Sequence, residues 1–439
     1  FLKILMNSQP RPLIAQTLLM GSAAFLCYLS MFAFRKPFAA ASYSDDITWL
    51  GLELKTAFVL AQLFGYILSK FVGIWWLSAR VESGRFGLLM RLMFVAYAAL
   101  IAFYFLPTEL KPVAMLVNGM PLGMIWGVVI SYLEGRRQSD TLLVMLASSF
   151  VIATSLTKDV GLWVMNSFAV DPYLMPVVVA TLFYPLLAAS GFALEKSPAP
   201  TEDDTASRSK RSALSPSESA QFFKQYWPGL VALIGAFMLL TAFRDFRDNF
   251  GIEIISNLGY DRESGIFTAL DFPVAVVCLI SLLGIQWIRD HKHSLYVLFG
   301  VMSLGALILI VSTLLMQSGQ LSGLNWLIAG GIGSYLGYIG YSTIMWERLI
   351  ANLQFSGTAV FAIYVSDSAG YTGSFLLQIV KDLFAADVSR LDFFVAMNYG
   401  FGAAALAGFY THFCTKLAQL STVLFFLHPK AARRKAPLP

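Results

Sequence analysis

The residues of this sequence best suited to chemistry are two arginines in matching hexapeptides, Ala33-Phe34-Arg35-Lys36-Pro37-Phe38 and Ala242-Phe243-Arg244-Asp245-Phe246-Arg247. Each lies toward the far end of a long apolar run, where a guanidinium facing lipid is costly and must instead face protein or a water-filled cavity. A guanidinium keeps its charge under ordinary conditions and offers a planar fork of donors to carboxylate or phosphate oxygens. The chemistry to expect is recognition of an anion. Arginines that merely balance nearby carboxylates remain the alternative on sequence alone.

Other ionisable residues interrupt apolar runs: Lys36, Lys70, Lys158, Asp159, Asp271 and Asp367, with Arg247 nearer the edge. A charge at the centre of a bilayer costs at least ~2.5 kcal/mol, so these groups must be paired or hydrated. The pairs to expect are Lys36 with Asp271, and Lys70 or Lys158 with Asp367. Pairs that form in one state and break in another would gate a moving protein. Gln62, Tyr66 and Tyr338 are candidates for hydrogen bonds and stacking to the organic part of a bound solute.

The elements that must position these residues repeat. Arg35 and Arg244 are 244 − 35 = 209 positions apart, and the same offset carries Gln62 onto Asp271, Lys158 onto Asp367 and Gly161 onto Gly370. Polar residues in apolar runs that coincide at one offset argue for a duplicated half. Twelve apolar spans are predicted at Pro12–Phe38, Thr56–Ser78, Phe86–Phe105, Pro112–Leu133, Thr141–Met165 and Tyr173–Leu194, then Pro228–Phe250, Ser264–Ile288, Leu295–Met316, Leu324–Trp346, Thr358–Leu383 and Phe393–Phe426. The first half is 1–194 and the second 225–427, joined by a linker at 195–224 rich in Ser, Pro, Ala and charge, with a short surface helix near Ser215 to Lys224. A basic tail at 428–439 closes the chain. Glycines in the fourth span (Gly119, Gly123, Gly127) and the tenth (Gly330, Gly331, Gly333, Gly337, Gly340) let helix backbones approach closely.

Composition agrees with a membrane class: 57% of residues are hydrophobic and 13% charged, against roughly 25% charged in a soluble domain. The formal charge of +5 is carried by bases in the short loops, which speaks for orientation in a bilayer and not for nucleic acid. Arg80, Arg85, Arg136, Arg137, Arg289 and the C-terminal bases share one side, so both termini are expected in the cytoplasm, with the protein in the inner membrane. The three cysteines lie inside apolar runs without metal spacing. No metal site, catalytic set, nucleotide loop or cofactor motif is expected, so the chain reads as a non-enzyme driven by a gradient.

Twelve helices in a six-plus-six repeat, a polar central linker and cytoplasmic termini resemble the major facilitator superfamily. Within it, Arg35-Lys36-x-Phe38 and Gly65-Tyr66-x-x-Ser69-Lys70-Phe71 resemble the organophosphate:phosphate antiporter branch, with Arg244 at the place of its second arginine and Asp271 and Asp367 at the places of its acids. The Arg-Lys-Pro-Phe opening is also shared by a little-characterised group of bacterial inner-membrane proteins. The resemblance implies a secondary transporter of a small organic anion, an organophosphate exchanged for phosphate. Two alternatives stay open: a proton-coupled symporter of a carboxylate or zwitterion, and a membrane sensor of an organophosphate. The chain departs from the branch in the loop Trp76 to Arg85, which lacks the usual acid, and in the Arg-Asp-x-Arg-Asp run at Arg244 to Asp248.

Overall fold

The computed structural model describes residues 11–43, 48–77, 84–133, 136, 138–198, 216–288, 290–341, 345, 348–349 and 359–407. Long helices dominate: α1 (Arg11–Phe32), α2 (Leu54–Leu77), α3 (Arg85–Phe105), α4 (Lys111–Leu133), α5 (Ser139–Phe168), α6 (Met175–Glu195), α7 (Pro216–Asn249), α8 (Ile266–Gln286), α9 (His291–Gln317), α10 (Gly323–Gly340) and α11 (Ala359–Phe384). A further helix, α12, covers 390–407. Among the described residues, seven helices are long and apolar enough to cross a membrane. The fold is an all-α polytopic membrane fold.

The expected positions hold to within a few residues for most spans, with two corrections. The first span was expected to run to Phe38, yet α1 ends at Phe32, and residues 33–36 form a turn before a short 3-10 helix, Pro37–Ala40. Proline has no N–H for the helical ladder and disfavours helix at the residue before it, but it fits the first position of a new helix. The matching position in the second copy is Phe246 (37 + 209), which can donate, and α7 continues unbroken to Asn249. The two hexapeptides therefore share sequence and differ in backbone. The second correction concerns α7, expected to start at Pro228 after a separate surface helix; one helix runs from Pro216, whose missing N–H costs nothing at the first helical position.

Packing repeats along the chain. α1 lies on α5, α2 and α3 on α4; then α7 lies on α11, and α8 and α9 on α10. The two sets meet where α5 touches α8 and α2 touches α11. The glycines make the tightest approaches possible: a Cβ at Gly119 would stand 2.1 Å from the Gln62 carbonyl oxygen on α2, and one at Gly65 would stand 2.2 Å from that of Leu116. Gly305 and Gly333 face each other in the same way between α9 and α10. Between the 3-10 helix and α2, a two-residue hairpin pairs Thr48 with Glu53 and Trp49 with Leu52. Its turn, Leu50-Gly51, needs positive φ at both residues (53° and 81°), the geometry that suits a tight hairpin. This hairpin sets Glu53 at the mouth of the bundle.

Gly119→Ala should lower the thermal stability of the detergent-solubilised protein, by about 1–3 kcal/mol for an overpacked contact against backbone. Gly87→Ala, where a Cβ meets nothing within 4 Å, should raise it by up to about 1 kcal/mol through helix propensity. Equal responses of the two variants would show that the α2–α4 approach is not close.

Candidate functional site

The break at the end of α1 creates the site. It leaves the Phe34 and Arg35 carbonyls outside any helical ladder, and buried carbonyls need donors. Asn118 of α4 donates to Phe34 O at 3.2 Å, and Gln62 of α2 donates to Arg35 O at 3.0 Å. Gln62 also donates to Asn118 Oδ1 at 2.8 Å. Gln62, expected beside a solute, thus spends its amide donors on holding the Arg35 backbone. Asn118 escaped the sequence reading, although an asparagine between apolar and glycine residues in span four was the signal.

With its backbone held, the Arg35 guanidinium lies over the Tyr66 ring, 4.2 Å from the centroid. It donates no hydrogen bond among the described residues, and its Nε is buried without a partner. Arg244 is likewise backed by a tyrosine, Tyr338 at 4.0 Å. Its fork, however, is engaged: Nη2 donates to Asp245 Oδ1 at 2.6 Å and Nε to the same oxygen at 3.2 Å. Tyr66 and Tyr338, expected as contacts to a solute, place their rings beneath the two guanidinium groups here, an attraction between a cation and a ring face. Tyr371 of α11 stands 5.5 Å from Tyr66, ring to ring, and lies within electrostatic reach of both arginines. Asp367, half-buried on α11, lies within reach of Tyr338 and Tyr371.

Two of the expected ion pairs, Lys36 with Asp271 and Lys158 with Asp367, are replaced by others. Lys36 binds Asp248, not Asp271, and also donates to Asn249 Oδ1 at 2.9 Å. Lys158 binds the other oxygen of Asp248 at 2.8 Å, and not Asp367. One carboxylate of α7 is thus clasped by two lysines from α5 and the turn after α1. Reach decides this: the break turns Lys36 toward the end of α7, where Asp248 and Asn249 stand. Asp271 instead faces Arg247 at 2.8 Å, one helix over, and accepts from Ser155 of α5. Arg247, expected near the edge, is buried at 8% exposure and also donates to Leu327 O at 3.2 Å. Asp159 accepts from the Phe267 and Thr268 N–H groups at 3.0 and 2.6 Å, so a carboxylate of α5 caps the start of α8. Lys70 lies on α2, but its side chain falls outside the described residues.

Further pairs, none of them predicted, continue this closure outward. Lys55 binds Glu253 at 2.6 Å and donates to Ala39 O at 2.9 Å. Glu53 on the hairpin meets Arg390 and, at 3.5 Å, Lys381, while its N–H donates to Asp382 Oδ2 at 2.9 Å. The ion pairs of Lys36 and Lys158 with Asp248, Lys55 with Glu253, and Glu53 with Arg390 and Lys381 join helices before the linker to residues after it, and all gather at this hairpin end. There α1, α5, α7 and α11 finish and α2 and α8 begin.

Burial alone would raise the Glu53 pKa, but Arg390, and then Lys381, hold it below the ordinary value. A depressed carboxyl contributes stability that is fully present above its unfolded value of about 4.3, starts to fade as pH falls below that, and is gone beneath the native pKa. The stability difference between wild type and Glu53→Gln should therefore be largest at neutral pH and vanish in acid, as read by thermal unfolding across pH. A difference that persists in strong acid would mean that the carboxylate charge is not what binds Arg390.

The chain resembles known proteins in two ways. Solved structures that share its fold include a D-xylose-proton symporter, with TM-score 0.59 and 12% identity over 90% of this chain and 96% of that one. Another is the nucleoside transporter NupG, with TM-score 0.58 and 13% identity over 91% of this chain and 99% of that one. At such identities the likeness speaks for the fold alone, a multi-pass membrane fold that these transporters share. No curated protein matches the sequence. A family model described as a family of unknown function, DUF5690, matches residues 37–416, and the chain belongs to that family.

Proposed function

We propose that this protein is a secondary carrier that moves a small organic anion across the inner membrane by alternating access. The observation that carries the reading is Arg35: a permanently charged fork, set over the Tyr66 ring inside an apolar bundle, with a buried donor left without a partner. A buried donor without an acceptor is unfavourable, and an anionic group that enters the site relieves it. The carriers named among the structural relatives support the transport reading, and the hexapeptide resemblance supports an anionic solute, an organophosphate among the candidates.

In this reading the halves, 1–194 and 225–427, rock about the solute, and the ion pairs of the hairpin end form one closed state. That end faces away from the cytoplasm, where both termini are proposed to lie. Opening it must separate Asp248 from Lys36 and Lys158, Glu253 from Lys55, and Asp159 from the start of α8. A second reading, proton-coupled symport, is favoured by Asp271, a carboxylate at the interface shared between Arg247 and Ser155. Uptake into vesicles that follows an imposed pH gradient would select it; uptake that requires phosphate on the opposite side would select exchange.

Two measurements test the carrier. Arg35→Lys keeps the charge but loses the flat fork, and should weaken solute affinity about ten- to hundredfold, the loss of one charged hydrogen bond. Expression should be unaffected, because lysine is inserted about as readily as arginine. Affinity near wild type in a well-folded Arg35→Lys protein would rule out the anion site. Asp248→Asn should open the hairpin end, since it leaves two buried lysines without their carboxylate, a change on the order of 3–5 kcal/mol. A cysteine placed at Ala40, buried in the closed state, should then react faster with a membrane-impermeant maleimide than in the Asp248 background. Unchanged labelling would show that these pairs do not hold the end shut.

A further inference from the structure

The run Arg244-Asp245-Phe246-Arg247-Asp248 is denser in charge than an anion site needs; two of its four charges pair with residues outside the run, and the other two pair with each other. Asp248 serves Lys36 and Lys158, Arg247 serves Asp271, and Arg244 would face the site with a free fork if Asp245 did not close it. Asp245 is buried at 7% exposure and takes both Nε and Nη2 of Arg244 on one oxygen. It also lies within electrostatic reach of Arg35 and Lys36. Around the two tyrosine-backed guanidinium groups stand two positive charges and one negative charge. Asp245 takes Nε and Nη2 of Arg244, whereas among the described residues the Arg35 guanidinium has no carboxylate on its fork and its Nε is buried without a partner.

We propose that Asp245 sets the charge of the transported solute, so that the site takes a group bearing a single negative charge, a carboxylate, and discriminates against phosphate monoesters. This inference rests on the carrier reading above and names the substrate class of that same site. A carboxylate meets the Arg35 fork with two parallel hydrogen bonds and leaves the Arg244–Asp245 pair intact. A dianion that engaged both arginines would have to displace Asp245, stranding a buried carboxylate, or lie beside it against like-charge repulsion. The remainder of the solute is accordingly neutral or cationic, as in an amino acid.

The test uses the full-length protein in detergent and measures binding of two probe sets by ligand-induced thermal shift. One set holds monocarboxylates and amino acids, the other phosphate monoesters such as glycerol 3-phosphate. Wild type should bind a member of the first set at least about tenfold more tightly than any of the second. Asp245→Asn should reverse or erase that preference by freeing Arg244, and Asp245→Glu should restore it. An independent readout needs no variant: a phosphate monoester, with a second pKa of about 6, is a monoanion in mild acid and a dianion at pH 8. Its affinity relative to a carboxylate should rise as pH falls. Preference of the wild type for phosphate monoesters at pH 8, or a class ratio unmoved by Asp245→Asn, would overturn the inference. Binding of carboxylates that survives Arg35→Gln would overturn the anion site itself, as would failure of both sets to bind wild type.

Discussion

A single carboxylate, Asp248, held between Lys36 and Lys158, is the interaction on which this arrangement depends. Each of the three charges would be costly alone in an apolar bundle, and the cost is removed only where elements distant in sequence meet. The turn after α1, the middle of α5 and the end of α7 are brought to one point by that requirement. Around it, neighbouring pairs follow the same logic: Arg247 with Asp271, Lys55 with Glu253, and Glu53 with Arg390. Because buried pairs contribute less to net stability than they cost when broken on one side, they suit a contact that must be specific and must also be released as a unit.

Closely packed glycines and buried ion pairs divide the labour. Within each set of helices, Gly65, Gly119, Gly305 and Gly333 allow backbone contact that any side chain would prevent. Such contacts are rigid, since the interior is packed without room to slide. Between the sets, the described contacts include apolar packing, such as Ile152 beside the Val274 cluster, aromatic rings, such as Tyr66 with Tyr371, and polar groups at the hairpin end. A bundle that is stiff within its parts and joined in part by separable polar contacts is the mechanical condition that the proposed alternating access needs.

The break caused by Pro37 gives the two hexapeptides unequal offices. In the first copy the chain leaves the helix, Gln62 and Asn118 take up the freed carbonyls, and Arg35 is left with open donors. In the second, the helix runs on, and the residue after Arg244 is an aspartate close enough to close its fork. The two hexapeptides are thus unlike in structure: Arg35 keeps a buried Nε without a partner, and Arg244 has its fork on Asp245.

Much of the fold was legible in the sequence, because span length, apolar composition and the spacing of glycines are local properties that a bilayer imposes segment by segment. That Arg35 and Arg244 needed a partner or a solute was legible for the same reason: a guanidinium in an apolar run is costly when left to lipid. Which partner was not. Lys36 and Asp271, or Lys158 and Asp367, are as compatible in charge as the pairs that form, and sequence offset cannot rank them. Pairing depends on reach across helices, and reach depends on where α1 breaks, how closely α2 and α4 approach, and which helix starts lie opposite α5. Gln62 changed from solute contact to backbone support for that reason, and Asn118, Glu53 and Arg390 gained roles that no local pattern announces. The sequence alone determined that charges would be buried in a helical membrane bundle. Only the tertiary structure decided which of them neutralise one another and which one stays open, because that is settled by distance in three dimensions.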